Sequence, residues 1–127
     1  MCKAKILVVD DEAEIVKSVS MRLRSAGYDV YSATDGMQAT NVAMKELPDL
    51  LILDIGMPAG SGHVVAERLQ NNGRTARIPV IFLTARTSES DYERALENGV
   101  AKYITKPYHP EVLLSAVEEL LERVQSS

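Results

Sequence analysis

Four polar stations in this chain stand where short apolar runs end. Asp10-Asp11-Glu12 follow Ile6-Leu7-Val8-Val9, and Asp54 follows Leu50-Leu51-Ile52-Leu53. Thr84 follows Pro79-Val80-Ile81-Phe82-Leu83, and Lys106 comes just after Val100 to Ile104. Continuous apolar runs bounded by turn signals read as fully buried strands of a parallel sheet. The exits of such strands share one edge, where open α/β sheets bind ligands. Asp10, Asp11, Asp54, Thr84 and Lys106 are therefore expected to converge. Carboxylates brought together either take up a proton or recruit a cation. A hard divalent ion answers that need, and Mg2+ (or Mn2+) suits a site with few carboxylates and retained waters. Lys106 adds an ammonium and Thr84 a hydroxyl. Such a group makes a pocket for an oxygen-rich anion on Asp54. Phosphoryl is the natural candidate, because its transfer needs positioning and charge neutralisation more than acid–base work.

Those residues need elements to hold them. A first helix is expected from about Ala13 to Ala26, with Ile15, Val16, Val19, Leu23 and Ala26 on one face and Gly27 ending it. A helix N-cap accounts for one of the three acids before it, and explains three poorly. A short second strand lies within Tyr28 to Ala33, on Val30 and Tyr31. Thr34-Asp35-Gly36 turns into a second helix carrying Ala39, Val42, Ala43 and Leu47, closed by Pro48. After Asp54, a turn rich in Gly and Pro leads to Ser61, which caps a third helix holding Val64, Val65 and Leu69. Asn72-Gly73 stops that helix, and Arg74 to Arg77 reads as a polar loop.

Ser88 with Asp91 three residues on resembles a capping box. It opens a fourth helix with Tyr92, Ala95 and Leu96, which ends at Asn98-Gly99. Val100 to Ile104 is the fifth strand. His109-Pro110-Glu111 opens the last helix, with Pro110 suited to its first turn. Leu113, Val117, Leu120, Leu121 and Val124 form its apolar stripe. Five strands alternating with five helices imply a doubly wound α/β domain with a parallel sheet covered on both faces. Right-handed crossovers limit how it is wound.

At 127 residues, the chain has the size of one domain, and 46% hydrophobic residues suffice for a core. The net charge of −4 argues against direct nucleic-acid binding. No apolar stretch reaches the length of a membrane span, and the first apolar run is too short for a signal peptide. Cys2 is the only cysteine, an incidental terminal thiol that permits no internal disulfide and suits a cytoplasmic location. His63 and His109 read as surface or helix-start residues, and Met37, Met44 and Met57 as packing residues.

Taken together, these positions resemble the receiver domain of the two-component response regulator family over essentially the whole chain. The match rests on Asp10-Asp11, on Asp54 with Met57-Pro58, on Gly62, on Thr84-Ala85 and on Lys106-Pro107, in order and each at or beyond a strand end. The resemblance implies the flavodoxin-like, CheY-like strand order 2-1-3-4-5, flanked by five helices. It implies that Asp54 is the phosphoacceptor, taking a phosphoryl group from the phosphohistidine of a sensor histidine kinase or a phosphotransfer protein. Asp10 and Asp11 would hold Mg2+ with Asp54, Asp11 directly, and the Gly56 backbone carbonyl would be a further ligand. Thr84 would hydrogen-bond the phosphoryl group and Lys106 would pair with it. Met57, Pro58 and Pro107 shape the loops, and the Lys106-Pro107 bond is expected to be cis.

Tyr103 aligns with the family's aromatic switch, whose ring moves between outward and inward on activation. The implied role is a phosphorylation switch acting through the α4-β5-α5 face on a downstream protein, not a turnover enzyme. The receiver is expected to occupy 1–127 with no output domain, and a phosphorylation-dependent dimer is one possible readout.

Three positions depart from the family pattern. Ser61 stands where many members have an acid. Gly56 and Arg86 lie two residues past Asp54 and Thr84, where the family tunes phosphoryl lifetime. Two other classes compete with this reading. An aspartyl-phosphate hydrolase also uses an Asp after a buried strand, but usually has a second Asp where this chain has Gly56. A phosphorylation-independent module would normally have lost a site residue. A flavin or nucleotide binder lacks support, for want of a Gly-rich loop after the first strand.

Overall fold

A computed structural model describes residues 3–58 and 60–126, with side chains to residue 122. The expected Val124 side chain and Cys2 lie outside the described residues. The strands are β1 (Lys5–Val9), β2 (Asp29–Ala33), β3 (Leu50–Leu53), β4 (Val80–Thr84) and β5 (Lys102–Thr105). The helices are α1 (Ala13–Ser25), α2 (Gly36–Glu46), α3 (Gly62–Gln70), α4 (Glu89–Glu97) and α5 (Pro110–Ser126). All strand pairs are parallel, in the order β2-β1-β3-β4-β5.

The alternation of side chains along each strand divides the core in two. Leu7, Val9, Leu51, Leu53 and Phe82 face one side with Ala39 and Ala43 of α2, Val65 and Leu69 of α3, and Ala95 of α4. Ile6, Val8, Leu50, Ile52, Ile81 and Leu83 face the other, with Val19 and Leu23 of α1 and Leu113, Val117, Leu120 and Leu121 of α5. Burial of each such Leu or Ile stabilises by roughly 1.5–3 kcal/mol. β1, β3 and β4 are covered on both faces, so their exits are held rigidly.

The local signals act as expected at most boundaries. Gly27 adopts φ +96° just past α1, a conformation that costs glycine little. The Ser61 and Ser88 hydroxyls accept from the Val64 and Asp91 amides at 3.4 and 3.1 Å. The Lys106-Pro107 bond is cis.

Four expectations need correction. Glu12 occupies the N-cap position of α1, yet its side chain caps nothing. Leu47 lies outside α2 with φ 47° and is partly exposed. β5 begins at Lys102, because the Val100 amide still closes the end of α4, donating to Ala95 O at 3.0 Å. Tyr92 and Leu96 are half exposed, because α4 buries only Ala95.

Candidate functional site

Strand register brings the site together. Val9 pairs with Leu53, so the next residues, Asp10 and Asp54, leave the sheet side by side. Thr84 pairs with Thr105, so Lys106 emerges beside the end of β4. The backbone carries that alignment past the strands. The Asp54 amide donates to Val9 O at 3.0 Å, and the Lys106 amide to Thr84 O at 2.9 Å.

Asp10, Asp54 and Thr84 are all buried. Lys106 Nζ donates to Asp10 Oδ2 at 2.8 Å, to Glu12 Oε1 at 3.2 Å and to Asp54 Oδ2 at 3.4 Å. Asp10 Oδ1 also accepts from the Glu12 amide at 2.9 Å, which turns the chain into α1. Burial raises the Asp10 carboxyl above its ordinary value, against the bonds from Lys106 and the Glu12 amide, and the charge of Asp54 raises it further. Burial works against the Lys106 ammonium, but its bond to Asp10 and the charges of Asp54 and Asp10 outweigh it and hold the ammonium above its ordinary range.

Asp10, Glu12 and Asp54 present carboxylate oxygens that all lie within 4.8 Å of one another. One ammonium among three carboxylates leaves negative charge unmatched, a donor set that fits a hard divalent cation. Sequence reasoning left Glu12 out of the site, because a helix N-cap could account for one of the three acids without saying which. Its position two residues past Asp10 was the available signal. The Asp11 side chain is exposed and is not in that group. The site is a carboxylate cluster, separate from the groove of about 670 Å³ lined by α1 and Leu114 of α5.

The loops around the acids are tightly packed. Met57 is buried against the α2–α3 side of the core, and Pro58 O accepts from the Gly36 amide at 3.3 Å. Gly62 packs directly on the Asp54–Ile55 backbone, its amide donating to Ile55 O at 2.8 Å. A Cβ on Gly56 would meet Arg86 Nε at 3.3 Å, so the Arg86 guanidinium lies over Gly56. The Thr84 hydroxyl accepts from the Arg86 amide at 3.2 Å. The Tyr103 hydroxyl donates to Arg86 O at 2.6 Å, and its ring meets Phe82 and Tyr92 edge-on. Burial raises the Tyr103 hydroxyl, with a further contribution from the charge of Asp91.

His63 was expected at the surface or at a helix start. It opens α3 but is buried, its Nε2 2.9 Å from Asp91 Oδ1. Its partner is on α4, far along the chain, which no local pattern reveals.

A model of the family described as "response regulator receiver domain" matches residues 6–118. The chain belongs to that family. Phosphorylation and signal switching in two-component systems are the family's role, and its receivers bind Mg2+ at an acidic pocket, such as the cluster of Asp10, Glu12 and Asp54. The DNA-binding dual master transcriptional regulator RpaA of Synechocystis is 40% identical over 94% of this chain and 49% of its own length. The phosphate regulon transcriptional regulatory protein PhoB of Pseudomonas aeruginosa is 40% identical over 93% of this chain and 52% of its own. The chain thus spans about half the length of the curated relatives it matches. Among solved structures, the chemotaxis response regulator CheY4 of Vibrio cholerae superposes with a TM-score of 0.87 at 32% identity, covering 94% of this chain and 99% of that one. Among the described residues, no helix of this receiver is long and apolar enough to cross a membrane.

Proposed function

We propose that Asp54 is the phosphoacceptor of this receiver and that the donor is the phosphohistidine of a sensor histidine kinase or phosphotransfer protein. The observation that carries this is the contact of one ammonium, Lys106 Nζ, with both Asp10 at 2.8 Å and Asp54 at 3.4 Å at the exits of adjacent strands. An Asp54 oxygen forms the bond to phosphorus as the P–N bond breaks, and the electron pair returns to the imidazole nitrogen. Lys106 offsets charge on the transferred group, and the Thr84 hydroxyl donates to one of its oxygens. Asp10, Asp11, Asp54 and the Gly56 carbonyl would hold Mg2+, and the 4.8 Å grouping adds Glu12 to the acids. An ion held there would supply positive charge against the phosphoryl oxygens. The chain assists its own phosphorylation and dephosphorylation and turns over no other substrate.

On this reading, phosphorylation draws the Thr84 hydroxyl towards the phosphoryl group and away from the Arg86 amide that it now accepts from. That frees the loop between β4 and α4, and with it the carbonyl held by Tyr103. The α4-β5-α5 face then changes, and a downstream protein or output reads it. The relatives named as transcriptional regulators favour an output that acts on transcription. The proposal takes 1–127 as one receiver unit working in the cytoplasm. Intact mass after incubation with acetyl phosphate and Mg2+ tests the acceptor. A gain of one phosphoryl group in the wild type, absent in Asp54→Asn and without Mg2+, is expected. An equal gain in Asp54→Asn would overturn it.

A further inference from the structure

A side-chain pair joins the first turn of α4 to the start of α3, beside the edge-on contact of Tyr92 with Tyr103, and that pair lies apart from the acid cluster. His63 Nε2 lies 2.9 Å from Asp91 Oδ1. The other Asp91 oxygen, Oδ2, accepts from the Ser88 hydroxyl at 2.8 Å. The bonds of His63 and then Ser88 hold the Asp91 carboxyl below its ordinary value. The His63 ring is buried and meets Phe82 edge-on at 5.3 Å, while its Nδ1 is buried without a partner. A buried, half-satisfied imidazole is costly unless its position serves something.

Its base is rigid. His63 follows Gly62, whose close approach to the Asp54–Ile55 backbone joins the start of α3 to the phosphoacceptor strand. Its far end is not. Ala95 is the only buried residue of α4. The loop leading into α4 is tied to the site by the Thr84–Arg86 bond and to β5 by the Tyr103–Arg86 bond. On the acceptor reading, release of the first frees Arg86 and loosens the segment that leads to Ser88 and Asp91.

We infer that the His63–Asp91 pair is a latch. His63 is a positioning residue that holds α4 in its unphosphorylated place, and switching breaks the bond. The inference rests on the acceptor reading above. A contact made in one state only biases the equilibrium by its own strength. A hydrogen bond to a charged group, lost in one state only, corresponds to a shift of about tenfold.

Titration with beryllofluoride, an acyl-phosphate mimic, in the presence of Mg2+ tests this, followed by the α4 amide signals in NMR. His63→Leu keeps an apolar filler against Phe82 and loses the donor. It is expected to saturate at about tenfold less beryllofluoride than the wild type. His63→Gln, which keeps an N–H donor, is expected to return the midpoint towards the wild-type value. A purely structural role would not produce that rescue. An unchanged or higher midpoint in His63→Leu overturns the latch. If His63→Leu fails to fold, Asp91→Asn answers in the same titration, with a lower midpoint supporting the latch and an unchanged one overturning it. A wild type that ignores beryllofluoride overturns the acceptor reading itself.

Discussion

Gly62→Ala tests how closely the acceptor strand is packed. A Cβ on Gly62 would press into the Asp54 carbonyl oxygen and stand 2.8 Å from Ile55 Cα and 3.0 Å from the Asp54 carbonyl carbon. All three are backbone atoms, so no flexible side-chain end can yield. Overpacking of this kind costs roughly 1–3 kcal/mol, and contact with backbone places it in the upper part of that range. Alanine's better helix propensity returns at most about 1 kcal/mol. A net loss of about 2 kcal/mol, at a urea slope of about 2 kcal/mol/M, lowers the unfolding midpoint by about 1 M. The same shift displaces Asp54, so the rate of phosphorylation by acetyl phosphate should fall as well. Gly73→Ala is the control, because nothing lies within 4 Å of its Cβ position. Its midpoint should stay within the ~0.5 kcal/mol expected of a surface change. A Gly62→Ala midpoint equal to or above the wild type would refute the reasoning.

Two further outcomes follow from the charges. Lys106→Met removes the ammonium that contacts Asp10, Glu12 and Asp54, so calorimetry should show Mg2+ binding roughly tenfold tighter while acetyl phosphate labels the protein more slowly. Weaker Mg2+ binding would contradict that charge balance. The Asp91 carboxyl is held below its ordinary value of 3.8, so its charged form contributes stability that is present above that pH and lost as the pH falls below it. Wild type should therefore exceed Asp91→Asn in urea stability at pH 5, with the gap shrinking towards pH 3; a gap that widens on acidification would reverse the sign.

The centre of the sheet was legible because β1, β3 and β4 are buried on both faces and so read as unbroken apolar runs. Leu50 to Leu53 and Val80 to Leu83 can hardly be anything else. The convergence of Asp10, Asp54, Thr84 and Lys106 followed from parallel strands alone. What the chain hid depends on contacts between distant elements. His63 sits among helix residues that reveal nothing of Asp91, and its neighbours, Phe82 on β4 and Asp91 on α4, come from distant parts of the chain. Glu12 was left out of the site because a helix-start pattern, which is local, could account for one of the three acids, whereas its partner is Lys106, between β5 and α5. Tyr92 and Leu96 have helical spacing, yet α4 lies so lightly on the sheet that only Ala95 is buried.

The central claim is that the phosphoryl group sits on Asp54 of the unaltered protein. Borohydride reduces an acyl phosphate to the alcohol, so treatment of the acetyl phosphate-labelled wild type should convert the residue at position 54 to homoserine. Peptide mass spectrometry then locates it. Homoserine at 54, formed only with Mg2+ present, is the expected result. Homoserine at position 10 or 11, with Asp54 intact, would contradict the account.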